Sequence, residues 1–330
     1  MTQKPGSFTI SLDLELYWGV RDKQSLNSYK NNLLGVWEII PKMLTLFQKY
    51  DIHVTWATVG FLFLKNEKEF QGMSPKLLPQ YKDTSLSPYV YFKGVDPLQF
   101  RDNTFRKMHF CPDLIKEIQT YPFQEIATHT YSHYYTREPE IAVKVFETDL
   151  LQAIAIAQSK NITVNSLVFP RNQIDTQSIN TLKNTNIKVY RGNPVHWAYK
   201  SGEIGKTFWQ RVYRFLDIYI DLSGSHSTVP QPDEEGLCEV KSSMFMRAYS
   251  RKFKLLEQVK LRRVKKAMTE AAQKGENFHL WWHPHNFGVH QKENLENLEE
   301  ILQHFKMLHA ERGMQSLNMQ ELGEIYAARI

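Results

Sequence analysis

The sequence has little cysteine and no apolar run long enough to span a bilayer. Only Cys111 and Cys238 occur among its 330 residues, far apart and outside any CxxC pair. Neither a disulfide framework nor a thiolate zinc site is therefore expected, and the composition suits a reducing compartment. The first residues are polar and lead directly into a strand-like pattern, without the apolar stretch of a signal peptide. We therefore expect a cytoplasmic protein.

The chain also lacks a basic character outside one segment. Its net charge is +6, and the segment from Arg247 to Lys266 holds nine Lys or Arg and a single acid, Glu257. That segment carries +8, which leaves −2 for the rest, so no nucleic-acid partner is expected. The segment has a helical pattern and allows two interpretations. It is either the solvated face of an ordinary helix or a surface for anionic lipid or a phosphorylated substrate, which would make the protein membrane-associated.

Strand and helix patterns alternate along most of the chain. Residues 8–16 alternate between apolar and polar side chains, residues 33–50 repeat apolar positions at helical spacing, and residues 52–59 are rich in β-branched side chains. This strand–helix–strand order predicts a parallel pair of strands. Further strands are predicted at 124–128, 163–169, 187–190, 239–246 and 278–282, and a long helix at 139–159.

The recurring strand–helix order predicts one β/α barrel domain over residues 1–330. Such barrels typically have about 250 residues, so the length leaves room for two insertions. We place them at about 65–110 and 192–275, because those segments show no sustained period. Within the second, a stripe at helical spacing is more typical of a buried helix face than of a binding surface. Its members are Phe208, Val212, Phe215 and Tyr219.

Two acidic residues share one face of the first predicted strand. Asp13 and Glu15 are two positions apart near its C-terminal end, so their side chains point the same way. The pair fits a half-exposed strand with solvated carboxylates. It also fits a site in which one carboxylate binds a metal and the other stays free as a base.

Two pairs of histidines follow other predicted strands. His129 and His133 are four residues apart after the strand at 124–128, and His283 and His285 flank a proline after the strand at 278–282. A close pair of histidines is structural as often as it is ligating. Because active sites of β/α barrels lie at the rim where the strands end, we expect both pairs to converge with the two carboxylates.

One carboxylate and two imidazoles form a three-ligand set with an open position, as in catalytic zinc sites. The ion would lower the pKa of a bound water and polarise a carbonyl. A second carboxylate could take the proton of the water, and a histidine on the far side could protonate the leaving group. The pattern therefore predicts metal-assisted hydrolysis of an amide or ester.

Five segments of this sequence resemble the polysaccharide deacetylases, the NodB-homology or carbohydrate esterase family 4 hydrolases. They are Ser11-Leu12-Asp13-Leu14-Glu15, Val54-Thr55-Trp56-Ala57-Thr58-Val59-Gly60, His129-Thr130-Tyr131-Ser132-His133, Phe169-Pro170-Arg171 and Leu280-Trp281-Trp282-His283-Pro284. The resemblance implies a distorted (β/α)7 TIM-like barrel. It also implies a divalent metal, commonly zinc, held by one acid and two histidines.

The resemblance implies a role for each matching residue. Asp13 corresponds to the catalytic base, Glu15, His129 and His133 to the metal ligands, His283 to the general acid, and Arg171 to the arginine that orients the base. His285 is an alternative acid, and His285, Trp282 and Asn172 are candidates for substrate contact. The acidic ligand of the family is usually Asp, and Glu15 is longer by one methylene. The Arg-x-Pro-x-Tyr segment of the family has only a loose match in this chain.

The resemblance also implies a function. It is removal of an N-acetyl or N-formyl group from a sugar in surface-polysaccharide biosynthesis, of a capsule or a lipopolysaccharide O-antigen. In the cytoplasm the substrate would be a nucleotide-linked or lipid-linked sugar, with the segment from Arg247 to Lys266 facing its phosphates or a membrane. Two alternatives stay open, namely a catalytically degenerate carbohydrate-binding barrel and a hydrolase of a non-sugar amide or imide.

Overall fold

The computed structural model describes residues 4–138, 143–199 and 207–328. The described residues form ten strands: β1 (Ser7–Leu14), β2 (Val54–Thr58), β3 (Gln124–Thr128), β4 (Ser166–Leu167), β5 (Val189–Gly192), β6 (Gln231–Pro232), β7 (Cys238–Lys241), β8 (Met244–Phe245), β9 (Asn277–Trp282) and β10 (Gln315–Ser316). They also form twelve α-helices: α1 (Leu26–Leu34), α2 (Val36–Lys49), α3 (Glu67–Gly72), α4 (Pro88–Lys93), α5 (Asn103–Lys107), α6 (Pro112–Gln119), α7 (Val143–Gln158), α8 (Thr176–Leu182), α9 (Phe208–Asp217), α10 (Glu257–Lys274), α11 (Gln291–Arg312) and α12 (Met319–Ala327). The helix predicted at 139–159 is α7, and positions 139–142 of that prediction lie outside the described residues.

The strands form one curled sheet in the order β6-β7-β5-β4-β3-β2-β1-β9-β8, with β10 beside the start of β1. Every pair within the described chain is parallel except β6 with β7. Parallel strands place their carboxyl ends on one side of the sheet. The polar groups that follow β1, β3 and β9 therefore meet at one rim.

A single short segment closes the sheet. β7 pairs with β5 and β8 pairs with β9, although only Ser242 and Ser243 separate β7 from β8 in the chain. The amide of Ser242 donates to the Gly192 carbonyl at 2.9 Å, and that of Ser243 donates to the His279 carbonyl at 2.8 Å. Residues 238–246 therefore join the two sides of the sheet into a barrel. The segment predicted as an insertion at 192–275 thus contributes two barrel strands.

β1 lies at the centre of the sheet and is buried along its whole length. On one face Phe8 packs against Phe305 of α11, with ring centroids 5.4 Å apart. On the other face Ser11 and Asp13 point into the barrel. Asp13 and Glu15 are only 2% and 4% exposed, so the interpretation of a half-exposed strand with solvated carboxylates is wrong.

The insertion predicted at 65–110 packs against the turn that follows Glu15. That turn is a 3-10 helix, Leu16–Gly19. Its Trp18 donates a hydrogen bond from Nε1 to the His109 carbonyl at 2.7 Å and stacks on Phe70 of α3 at 6.1 Å. The amide of Tyr17 donates to the Met108 carbonyl at 3.2 Å. The insertion therefore fixes the backbone on the C-terminal side of Glu15.

The basic segment from Arg247 to Lys266 is not a uniform surface. Lys260 is buried and donates to Glu257 Oε2 at 2.6 Å, and Arg263 is buried 3.1 Å from Asp221 Oδ1. The prediction of a solvated face is therefore wrong for Lys260 and Arg263, which are paired in the protein interior, whereas Arg262 and Lys266 of α10 are exposed. Within the described residues, no helix combines the length and the apolar character needed to cross a membrane.

Candidate active site

A cavity of about 1330 Å³ opens where the parallel strands end. Five of the predicted strand-end side chains line it: Asp13, Glu15, His133, His283 and His285. His129 lies directly behind them and is fully buried. The barrel therefore brings together groups that are up to 272 positions apart in the sequence, as expected for the carboxyl rim of parallel strands.

Glu15, His129 and His133 converge on one point. Glu15 Oε2 lies 2.9 Å from His133 Nε2 and 3.5 Å from His129 Nε2. One ligand atom from each of the three residues lies within 4.8 Å of the other two. Two imidazole nitrogens and one carboxylate, all buried, form the donor set of a catalytic zinc-type site. These three residues can therefore hold a divalent metal ion.

Hydrogen bonds behind the two imidazoles orient them toward Glu15. His129 Nδ1 lies 2.8 Å from the Val168 carbonyl, and because a carbonyl only accepts, Nδ1 carries the proton and Nε2 is left to face Glu15. His133 Nδ1 lies 3.1 Å from the Tyr135 hydroxyl. Outer partners of this kind fix the ring orientation of metal-ligating histidines. The two rings are therefore held in place by the protein itself.

The protonation of Glu15 and His133 also suits a metal. Burial alone would raise the pKa of Glu15, but the neighbouring imidazoles of His283, His129 and His133 outweigh burial and hold that pKa well below its usual range. Burial lowers the pKa of His133 to about 4, against a partial counter-effect from Glu15. Metal binding requires an ionised carboxylate and neutral imidazoles, and the environments of Glu15 and His133 favour these states for the two residues.

Gly19 provides the space that the longer acidic side chain needs. A Cβ atom built on Gly19 would overlap the Cδ and both carboxylate oxygens of Glu15. The Glu15 carboxylate therefore lies over the bare backbone of Gly19, one 3-10 turn further along the chain. This contact accounts for how a Glu reaches the two histidines at this position.

The loop that carries the two histidines is held in an unusual backbone conformation. Thr130 and His133 have positive φ angles of 64° and 56°, which non-glycine residues rarely adopt, least of all a β-branched one. Asp149 of α7 accepts the amide of Tyr131 at 2.8 Å and also the Ser132 hydroxyl. Asp149 is fully buried, and its burial raises its pKa to about 6. The loop geometry is therefore imposed by contacts from α7 and not by the histidines alone.

Asp13 is paired with Arg191, which the sequence did not identify. Arg191 Nη1 donates to Asp13 Oδ1 at 2.7 Å, and Nη2 donates to Oδ2 at 2.8 Å. The same guanidinium donates to Ser11 Oγ at 3.0 Å and to Asn172 Oδ1 at 2.9 Å. Burial raises the pKa of Asp13, but Arg191 and the nearby histidines outweigh it, so the net pKa is lowered. Asp13 is thus an oriented, ionised carboxylate beside the three candidate ligands.

Arg171 does not reach Asp13. It forms an ion pair with Asp22 and stacks over the Tyr135 ring at 4.2 Å, the same Tyr135 whose hydroxyl contacts His133. Its backbone has a positive φ of 55°. The arginine beside the expected base is therefore Arg191 of β5, and Arg171 supports the ligand side of the site through Tyr135.

The Asp13–Arg191 pair gives a stability prediction. Replacing Arg191 with Lys leaves one buried ammonium where two parallel hydrogen bonds were made, so we expect the free energy of unfolding to fall by about 3 kcal/mol. The matched variant Arg171→Lys breaks a pair whose arginine side chain is 22% exposed, and should cost about 1 kcal/mol. Urea unfolding of both variants measures the difference. If both variants lost the same free energy of unfolding, the buried Asp13–Arg191 pair would stabilise the protein no more than the Asp22–Arg171 pair, and the prediction would be wrong.

His283 and His285 occupy different depths of the cavity. His283 Nε2 lies 3.8 Å from Asp13 Oδ2 and 3.6 Å from Glu15 Oε1, and its side chain is 23% exposed. His285 is buried behind it, with ring centroids 5.1 Å apart, and its Nε2 lies 3.9 Å from Glu15 Oε1. Burial and the neighbouring His283 lower the pKa of His285 to about 3. Of the two histidines, His283 is the one that faces the open cavity.

The three residues predicted for substrate contact have different positions. Asn172 lines the cavity and His285 lies at its floor. Trp282 does not line it, because β9 turns this side chain outward into the core against Phe287, at a centroid distance of 5.3 Å. The preceding Trp281 points inward instead and stacks under Arg191 at 4.2 Å. Because successive side chains of a strand point to opposite faces, Trp281 contacts the cavity and Trp282 does not.

Comparison with known proteins identifies the fold. Neither a scan against protein-family models nor a search of the curated proteins finds a match. Among solved structures, a Mycobacterium smegmatis protein assigned as a polysaccharide deacetylase superposes with a TM-score of 0.61 at 12% identity, over 99% of this chain and 92% of its own. A Pseudomonas aeruginosa PAO1 protein with the same assignment gives 0.57 at 9% identity, over 98% and 91%.

An allantoinase gives a TM-score of 0.55 at 10% identity, over 98% of this chain and 90% of its own. Identities this low show the fold and not the activity. The chain has the fold of the polysaccharide deacetylase structures, and the predicted distorted (β/α)7 barrel is confirmed.

Proposed function

We propose that this chain is a metal-dependent amide hydrolase that removes an N-acyl group, acetyl or formyl, from a sugar in the biosynthesis of a surface polysaccharide. One observation carries this proposal. Glu15, His129 and His133 can form a three-ligand set at the cavity that is also lined by an oriented Asp13 and a partly exposed His283. The motifs of the chain and the fold that it shares with deacetylase structures support it.

The three ligands would hold a divalent cation, and their donor set favours zinc. When bound, such an ion supplies the Lewis acidity that polarises an amide carbonyl and lowers the pKa of water. Glu15 and the two imidazoles leave the cavity side of the site open. Asp13 is not needed as a ligand, because the three others already converge without it.

Asp13 is the proposed general base. Its carboxylate is held by two hydrogen bonds from Arg191, so it cannot rotate away from the cavity, and it stays ionised because of the same arginine. An ionised carboxylate in a fixed position accepts the proton of the attacking water. Arg191 acts as a positioning residue, which touches the base and not the substrate.

His283 is the proposed general acid. It lines the cavity with its Nε2 3.8 Å from Asp13 Oδ2, and its Nδ1 lies 3.3 Å from Asn286 Oδ1. A histidine in this place can donate a proton from Nε2 to the departing amine nitrogen. His285 is buried behind it and does not reach the open part of the cavity.

The outer part of the cavity suits a sugar joined to phosphate. Trp281 and Phe245 offer aromatic faces for a pyranose ring, and Arg211, Arg214 and Arg247 offer positive charge further out. We therefore propose a nucleotide-linked or lipid-linked acylamino sugar as the substrate. Guanidinium groups bind phosphate oxygens in pairs, which is the usual recognition of such a group.

The experiment is a substrate panel with the zinc-loaded chain. N-acetyl and N-formyl amino sugars, free and nucleotide-linked, are incubated and released acetate or formate is measured, beside cyclic amides and imides such as allantoin. We expect acyl release from at least one sugar, and its loss after chelation of the metal. Release only from the cyclic amides would favour the amide or imide alternative. Tight metal binding with no turnover on any substrate would favour the degenerate carbohydrate-binding barrel.

A further inference from the structure

α9 is oriented with its apolar side toward solvent. Phe208 and Trp209 are 70% and 73% exposed, and Leu216 is 42% exposed. The buried residues of this helix are both polar, Gln210 and Asp217. A helix that covers a core shows the opposite arrangement. Of the stripe expected to lie in the core, Phe208 is exposed, and Val212, Phe215 and Tyr219 are only partly buried.

Hydrogen bonds fix this orientation. Gln210 forms a capping box with Thr207 and donates from Nε2 to the Trp197 carbonyl at 3.2 Å. Asp217 Oδ1 accepts the backbone amides of Leu222 and Ser223, both at 3.0 Å. Because both buried polar side chains are satisfied, rotating α9 to bury its aromatics would leave them without partners. The exposed apolar side is a stable feature of the fold.

A neighbouring segment extends the same surface. The 3-10 helix Arg251–Leu256 has no buried residue, and its Leu255 is 93% exposed. It contacts α9 through Phe253, whose ring centroid lies 5.3 Å from that of Phe215. Arg247 lies over the Phe215 ring at 5.5 Å. α9, Arg247 and residues 251–256 thus form one surface, here called the aromatic rim.

Positive charge surrounds the apolar part of the aromatic rim. Its exposed cations are Arg211, Arg247, Arg251, Lys252 and Lys254. Residues 247–256 contain no Asp or Glu. Trp, Phe and Leu side chains bordered by Lys and Arg are the composition of surfaces that insert into the interface of an anionic membrane. A protein partner would need an acidic and apolar surface of matching shape. Any anionic bilayer has both negatively charged headgroups and an apolar interior.

We infer that the aromatic rim docks this protein on an anionic lipid bilayer. The contact surface takes in the first part of the basic segment identified in the sequence, residues 247–256, and adds α9, whereas Lys260 and Arg263 of α10 are buried in the protein and do not contribute. Arg211, Phe215 and Arg247 belong both to the rim and to the lining of the cavity. Docking therefore brings the cavity opening to the bilayer surface. If the proposed function holds, docking in this orientation favours a sugar linked to a lipid phosphate as the substrate. Only this statement about the substrate rests on the proposed function.

The test is sedimentation of the full chain with vesicles of phosphatidylcholine, with and without phosphatidylglycerol. We expect at least about tenfold tighter binding to the anionic vesicles, weakening as salt is added. Phe208→Ser/Trp209→Ser removes the inserted side chains and Lys252→Glu/Lys254→Glu reverses two charges. Each pair should weaken binding by about tenfold or more.

Matched controls change equally exposed residues elsewhere. Leu98→Ser alters an apolar side chain that is 59% exposed, and Lys116→Glu/Lys292→Glu reverses two exposed charges; both should bind vesicles as the parent does. Absent binding, or equal losses in rim and control variants, would overturn the inference. So would a dimer that Phe208→Ser/Trp209→Ser dissociates, with no vesicle binding by the parent chain. Hydrolysis of a soluble acylamino sugar, measured in parallel, should survive in the rim variants, so this inference and the proposed function can fail separately.

Discussion

Replacing Asp13 with Asn is expected to lower kcat/KM for amide hydrolysis by a factor of about 10² to 10⁴ while the bound metal stays at one equivalent. The amide of Asn has nearly the shape of the carboxylate but cannot accept the proton of the attacking water. The ligand atoms of Glu15, His129 and His133 converge without Asp13, so metal affinity should not depend on it. Acyl release and metal content, measured on the same preparation, test both statements.

Asp22→Asn is the matched control for this variant. Asp22 also pairs with an arginine, Arg171, and its side chain is 9% exposed against 3% for Asp13. The two substitutions are chemically identical and each removes one partner of an ion pair, so both should lower stability. Only Asp13→Asn should remove the base, and we expect Asp22→Asn to change kcat/KM by less than about tenfold.

Three outcomes of this comparison would contradict the roles that we propose. If Asp13→Asn loses its metal together with its activity, Asp13 is a ligand and the three-residue set is incomplete. If Asp13→Asn keeps full activity, another group accepts the proton. If the parent chain and Asp13→Asn both bind metal and neither releases acid above the rate without protein, the carbohydrate-binding alternative is favoured over an enzyme.

The covalent geometry of strands made the centre of the site predictable. Side chains two positions apart on a strand share a face, so the alternation in residues 8–16 is sufficient to place Asp13 inside the barrel. Parallel strands then bring their carboxyl ends together, which is why His129 and His283 could be expected near it. The same period, applied strictly to β9, would have chosen Trp281 over Trp282, since Trp281 and His283 share a face.

The arginine beside Asp13 could not be chosen from the sequence. Arg171 and Arg191 both follow predicted strands, and nothing in their spacing tells which side chain crosses the barrel. The choice depends on backbone torsion and on strand order. Arg171 has a positive φ and turns toward Asp22, whereas Arg191 lies at the end of β5 and reaches across the interior. An arginine side chain is long enough to contact residues on distant strands, and sequence spacing does not show which of them it contacts.

The burial of the stripe on α9 was predicted wrongly at Phe208 for a related reason. Helical spacing shows that Phe208 and Phe215 lie on related sides of a helix, but it does not show which side faces the protein. The hydrogen-bond partners of Gln210 and Asp217 decide that, and they are the Trp197 carbonyl and the Leu222 amide, in short segments that have no periodic pattern. Hydrophobicity predicts burial for most helices of this chain and fails where polar side chains have specific partners.

Gly19 gives the prediction with the clearest structural cause. Gly19→Ala places a methyl group where the Glu15 carboxylate now lies, overlapping the Cδ and both oxygens. Either Glu15 leaves the two histidines or the turn at Leu16–Gly19, braced by the 65–110 insertion, must shift. We expect zinc affinity to fall by about 100-fold, at the upper end for changes outside the ligands themselves. Calorimetric titration of the metal-free chain with zinc measures it.

Gly72→Ala is the control for Gly19→Ala, because a Cβ at Gly72 would meet no atom within 4 Å, and it should leave zinc affinity unchanged. The double variant Glu15→Asp/Gly19→Ala tests the cause directly. A carboxylate shorter by one methylene withdraws from the added methyl group, so the double variant should bind zinc more tightly than Gly19→Ala alone. Partial recovery of this kind cannot arise from a general loss of folding. Unchanged zinc affinity in Gly19→Ala would show that Glu15 moves freely. Equal affinity in the single and double variants would show that the loss of zinc affinity comes from a shift in the backbone of the turn and not from displacement of the carboxylate.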